Sequence, residues 1–174
     1  MNKEIYIAKT FGGLEEVLAS EIKILGGTNI EIKKRAVLFS GNIELLYTCN
    51  LCLRTALKIL KPIAGFQATG ENELYSQAKI IKWEEIINKK NTFVIESTVN
   101  SPYFTHSKYC ALKVKDAIVD RFRDKYHIRP SVEKNNPDFK IHLHISENIC
   151  SLYLDSSGDP LFKRGYRQHT TEAP

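Results

Sequence analysis

The apolar residues of this chain change period in the order strand, helix, strand, strand, helix, strand, and that order leaves few folds open. Glu4-Ile5-Tyr6-Ile7-Ala8 alternates as a strand and stops before Gly12-Gly13. Leu14, Val17, Leu18, Ile22 and Leu25 then recur at helical spacing, and Gly26-Gly27 supplies a C-terminal stop. Ile30–Ile32 and Ala36–Phe39 read as two short strands around the basic turn Lys33-Lys34-Arg35. A second helix places Leu46, Cys49, Leu53, Ala56 and Leu57 on one face, and Lys58–Pro62 leads out through Pro62 and Gly65. This is the split β-α-β order of a ferredoxin-like unit.

From about residue 70 the alternation restarts. Leu74, Ala78 and Ile81 form a short helical stripe that breaks near Trp83. Thr92–Val99 is a strand, with Phe93, Ile95 and Val99 on one side. A long helix over His106–Tyr126 aligns Ala111, Val114, Ile118 and Phe122, and Pro130 lies just past its end. Phe139, Ile141, Leu143 and Ile145 then alternate strictly with Lys140, His142, His144 and Ser146. Glu147-Asn148 turns into a further strand over Ile149–Asp155, and Leu161–Gln168 reads as a last strand. The fold class expected is α+β, in two small units.

With 43% hydrophobic and 26% charged residues, the composition excludes collagen, a disordered tail and a disulfide-dense miniprotein. Four scattered cysteines suit a reducing compartment, and no apolar run approaches the roughly 18 residues that span a bilayer. A soluble, cytoplasmic protein with no membrane partner is expected.

The motifs of catalysis give little. Cys49-x-x-Cys52 lies inside an apolar helix, where packing thiols are favoured over a redox pair, and no second ligand pair completes a zinc site. His142-x-His144 shares one strand face, but that face needs polar residues merely to meet water or RNA. Asn135-Asn136-Pro137-Asp138-Phe139 lacks the second proline of an amino-methylating loop. Asp116, Asp120 and Asp124 line a helix edge, to be paired with Lys113, Lys115, Arg121 or Arg123. Arg121, beside the apolar stripe, is expected to snorkel. No catalytic or metal residue is assigned.

Cations beside aromatic rings are more informative. The long helix carries Lys108, Lys113, Lys115, Arg121, Arg123 and Lys125, and Tyr103–Lys108 would aim free N–H groups and Lys108 outward at its start. Lys163-Arg164-Gly165-Tyr166-Arg167 packs three cations and a ring into five residues, which suits RNA, while a net charge of +5 is equally compatible with a solvated face.

Lys113–Asp120 (KVKDAIVD), followed by Leu152–Arg167 (LYLDSSGDPLFKRGYR), resembles the THUMP-containing RNA guanine-N2 methyltransferases. Those include the large 23S rRNA methyltransferases of bacteria and their tRNA-modifying relatives. Phe11-Gly12-Gly13-Leu14-Glu15 is similar to the opening of that family, and the match covers essentially the whole chain. The resemblance implies an N-terminal ferredoxin-like domain over residues 1–68 and a THUMP domain over 69–168. Residues 169–174 would then begin a linker to a methyltransferase domain that lies outside these residues. It implies structured RNA as partner, ribosomal before transfer RNA, together with that methyltransferase domain. It implies no cofactor in this chain and S-adenosylmethionine in the following domain. The RNA-contacting residues it implies are Lys108, Lys115, Lys163, Arg164, Tyr166 and Arg167, with the last four equally able to serve a domain junction. A thiouridine synthetase type of RNA-modifying enzyme and a protein-docking scaffold stand as alternatives.

Overall fold

The computed structural model describes residues 3–164. Two compact units form: the described residues up to Lys61 together with those from Ser156, and Pro62–Asp155. Packing thus assigns Ser156–Arg164 to the first unit, whereas the sequence reading ran the second domain on to residue 168.

In the first unit β1 (Glu4–Thr10), α1 (Glu15–Ile24), β2 (Thr28–Lys33), β3 (Ala36–Gly41), α2 (Ile43–Cys52) and the start of β4 (Ala56–Gln67) follow one another. The strands order as β2-β3-β1-β4 with antiparallel pairs, the ferredoxin-like arrangement. α1 stops where expected. Gly26 sits at φ +98°, its N–H donates to the Lys23 carbonyl, and the Gly27 N–H donates to that of Ile22. Only Leu18 and Ile22 of α1 are buried; Leu14 and Val17, expected in the core, are 36% and 49% exposed. The core instead gathers Tyr6, Ala8, Val37, Phe39, Leu45, Leu46, Cys49, Leu53 and Ile59.

α2 ends earlier than its apolar spacing suggests. Leu53 takes extended backbone, and the Glu21 carboxylate accepts the N–H groups of Arg54 and Thr55 and the Thr55 hydroxyl. Ala56 then pairs with Thr10, so Ala56 and Leu57 belong to a strand and not to the helix. Pro62 and Gly65 lie inside β4, where they were expected to end the element. The ladder to β1 runs only to Leu60, so the N–H that Pro62 lacks is not needed there.

The second unit contains α3 (Glu71–Ile80), a 3₁₀ turn at Trp83–Glu85, β5 (Phe93–Asn100), α4 (Ser107–Tyr126), β6 (Phe139–Ser146) and β7 (Ile149–Asp155). Its strands order as β4-β7-β6-β5, with β5 parallel to β6 and β6 antiparallel to β7. The strict alternation in β6 buries Ile141, Leu143 and Ile145 against Val114, Ile118 and Phe122 of the long helix, as the sequence predicts. Trp83 fills the middle of this core, and its indole N–H donates to the Ala78 carbonyl at 2.7 Å.

Arg121 does not snorkel. Its Nε and Nη2 each donate to the Glu84 carboxylate at 2.8 Å, and Nη1 donates to the Lys79 and Ile80 carbonyls at the end of α3. The guanidinium finds more acceptors under the helix than in water, so it binds the Trp83 turn and α3 to α4. The aspartate edge is indeed paired, with Asp116 on Lys115 and Asp120 on Arg123, while Asp124 turns to Lys79 on α3.

Candidate nucleic-acid interface

The start of α4 is set by its approach loop. Phe104 is buried, and the Ser97 hydroxyl donates to the Ser107 carbonyl at 2.7 Å, holding the helix against β5. The first turn of the helix itself contains no acidic residue. From here Lys108, Ala111, Leu112 and Lys115, at helical steps of three, one and three, share one face.

That face lines an open groove of about 610 Å³, together with Val94–Ser97 of β5 and with Val132 and Lys134. The loop after α4 is brought there by backbone pairing: the Phe93 N–H donates to the Ser131 carbonyl, and the Glu133 N–H to that of Phe93. The structure therefore unites Lys108 and Lys115 and adds Lys134, which sequence reasoning missed. Periodicity could not find Lys134, because it lies in an irregular loop positioned only by a long-range bridge to β5.

The groove is lined by both charged and aliphatic side chains. Leu112 and Val132 are 50% and 42% exposed. Lys115 is paired with Asp116 at 2.6 Å, while Lys113 lies 5.3 Å from the centre of the Tyr109 ring. Glu96 also lines the groove.

The second basic cluster has a different setting. Lys163 ends a 3₁₀ turn over Leu161–Lys163, where the last strand expected over Leu161–Gln168 was to begin, and residues 165–168 of that strand lie outside the described residues. Pro160 has no N–H for a strand ladder, and its carbonyl instead accepts the Lys163 N–H. Arg164 points its Nη1 at the Leu51 and Leu53 carbonyls, 2.9 Å from each, at the end of α2. That use favours an intramolecular role for Arg164 over RNA contact. Tyr166 and Arg167 lie outside the described residues.

The serines just before this turn explain the Leu-Asp-Ser-Ser-Gly motif. The Ser156 N–H and hydroxyl donate to the Ile59 carbonyl, and the Ser157 hydroxyl accepts the Ile59 N–H while donating to Asn50. Gly158 follows at φ +71° and turns the chain. Near the N-terminus, Glu15 has a similar task. It accepts the N–H groups of Arg35 and Gly13, and these bonds, that of Arg35 foremost, hold its carboxyl below the usual range. The Gly-Leu-Glu motif is thus a loop tie.

The remaining sequence candidates find structural settings. Cys49 is buried, and burial pushes its thiol up to about 11. Asp138 of the Asn-Asn-Pro-Asp-Phe stretch accepts the backbone N–H and hydroxyl of Thr92, fixing the start of β5 beside β6. His142 lies 3.4 Å from the Thr98 hydroxyl on the polar face of the sheet. Among the described residues, a glycine pair does stand between a strand and a helix, Gly12-Gly13 between β1 and α1, but the Glu15 carboxylate already takes the Gly13 and Arg35 N–H groups there, and Ser101–His106, between β5 and α4, contains no glycine.

Comparison with known proteins agrees with both units. The THUMP domain model matches residues 68–155, and a model described as the RlmL ferredoxin-like domain matches residues 6–60. A ribosomal RNA large subunit methyltransferase K/L of Syntrophotalea carbinolica is 37% identical over 93% of this chain, which spans 23% of that relative. The crystal structure described as a predicted N6-adenine-specific DNA methylase from Listeria monocytogenes superposes with a TM-score of 0.84 at 29% identity. It covers 100% of this chain and 46% of its own. A possible methylase from Clostridium difficile superposes at 0.86 with 26% identity, over 99% of this chain and 46% of its own. The chain therefore spans less than half the length of these relatives.

Proposed function

This chain belongs to the THUMP domain family, and we propose that it holds structured RNA for methylation by a separate domain of the same polypeptide. The observation that carries the reading is the groove along α4, which Lys108, Lys115 and Lys134 line together with Ala111, Leu112 and Val132. The relatives named as methyltransferases and methylases support the reaction class, and the ribosomal name among them favours ribosomal over transfer RNA. Methyl transfer to a guanine N2 would use S-adenosylmethionine held by that separate domain, in the cytoplasm.

In this role the chain does no chemistry. Phosphates would lie on Lys108 and Lys134 and near the open start of α4, fixing register and orientation. A base turned out of its stack would lie on Leu112 and Val132. Lys115, already neutralised by Asp116, would contribute less. Arg164 would stay on α2, and Lys163 with Tyr166 and Arg167 would serve as secondary contacts.

The test is the salt dependence of RNA binding by Lys108→Ala and Lys134→Ala. Each lost phosphate contact should flatten the slope of log K against log salt by about 0.7–0.9. A double variant should lose roughly twice that, with little change in the preference among RNAs. Unchanged affinity and slope in the double variant would remove the groove from the account.

A further inference from the structure

α2 is apolar on both sides. Its inner face places Leu45, Leu46 and Cys49 in the core of the first unit. On the opposite side Ile43, Tyr47 and Leu51, each four residues from the next, are 48%, 68% and 68% exposed. Glu44 is the only charged residue of the helix. A helix that bounded a free-standing unit would carry charges along that outer face. One that is apolar on two opposite sides leaves its outer side to be covered.

The same helix holds the end of the described chain. Arg164 donates to the Leu51 and Leu53 carbonyls, and Leu161 is buried in the core beneath. Phe162, between them, is left 64% exposed. Residues 165–174 continue from this anchored turn. The similar methyltransferase and methylase chains are far longer than the part this chain matches.

We propose that the Ile43–Tyr47–Leu51 face of α2, together with Phe162, docks the methyltransferase domain of the same polypeptide. This inference rests on the function proposed above. The clamp at Arg164 sets the point of departure at the docking face itself, so a following domain meets that face at an effective concentration of order millimolar. A contact too weak to hold two separate proteins then suffices. With one charge on the helix, the complementary surface is apolar. The consequence for function is that the first unit keeps a fixed place on the methyltransferase domain.

The experiment compares the 174-residue chain with the longer protein that carries the methyltransferase domain. Tyr47→Cys is placed in a Cys52→Ser background, and the rate of maleimide modification is followed in both. The proposal expects modification at least about tenfold slower in the longer protein. Tyr47→Glu with Leu51→Glu should in turn speed protease cleavage between the domains several-fold, while the 174-residue chain with those changes melts as the parent does. Equal modification rates in the two proteins overturn the proposal. Shielding in the short chain that grows with its concentration also overturns it, since a second copy is then the occupant. Failure of the longer protein to methylate RNA, with Tyr47→Cys still shielded, contradicts the functional reading and leaves the docking face standing.

Discussion

Arg121→Met should lower the free energy of unfolding by about 2–4 kcal/mol. The guanidinium makes two bonds of 2.8 Å to Glu84 and two of 3.0 Å to the Lys79 and Ile80 carbonyls. Its side chain is 21% exposed and that of Glu84 13%, so water replaces little of this when Arg121 is lost. Removing one partner of such a shielded pair costs about 3–5 kcal/mol, because the other charge is stranded. Lys125 lowers that figure, since it still reaches Glu84 at 2.6 Å, though from a half-exposed side chain. The apolar stem that methionine retains lowers it slightly further.

Urea unfolding reads the result, with a midpoint lower by about 1–2 M at ordinary slopes. The same site controls acid stability. Arg121, then Lys125, hold the Glu84 carboxyl well below its ordinary value of 4.5. A depressed folded pKa stabilises the protein above the unfolded value, and that stability is lost as pH falls below about 4.5. Glu84→Gln should flatten this acid limb. An Arg121→Met variant within about 0.5 kcal/mol of the parent, with an unchanged acid limb, would refute the reasoning.

Other consequences follow from single contacts. Gly26→Ala forces a side chain to φ +98° and should cost about 1–2 kcal/mol, and Gly27→Ala should cost more, since its Cβ would lie 2.4 Å from Ile22 Cγ2. Thermal melts of both variants check this. Ser157→Ala leaves the Ile59 N–H without its acceptor and should cost about 1–3 kcal/mol, with faster proteolysis after Asp155 as a second readout. At pH 8 a thiol reagent should titrate one cysteine of the native protein, the exposed Cys52, and all four after denaturation. Burial pushes Cys49 and Cys150 up to about 11, away from the thiolate form.

Strand and helix order was readable because period and glycine placement agree locally: Gly26-Gly27 ends α1, and the β6 alternation needs one wet and one dry face. The errors have one origin. Helix α2 ends because Glu21, more than thirty residues away, takes the N–H groups of Arg54 and Thr55, and apolar spacing carries no trace of that. Arg121 seemed destined for solvent because its acceptors, Glu84 and two α3 carbonyls, become neighbours only in the folded unit. Lys134 escaped notice for the same reason. Family motifs were recognisable in sequence, but their tasks became physical only in three dimensions. The two serines after β7 stitch the chain to Ile59, and Arg164 clamps α2.

The central claim is that this chain selects folded RNA, and fluorescence anisotropy tests it most directly. The protein is titrated against transfer RNA, a panel of 23S rRNA hairpins and duplex DNA at two salt concentrations. The account predicts preference for one folded RNA, weakening as salt rises, and loss of that binding in Lys108→Ala/Lys134→Ala. Equal weak binding to all three nucleic acids, indifferent to the two lysines, would contradict it.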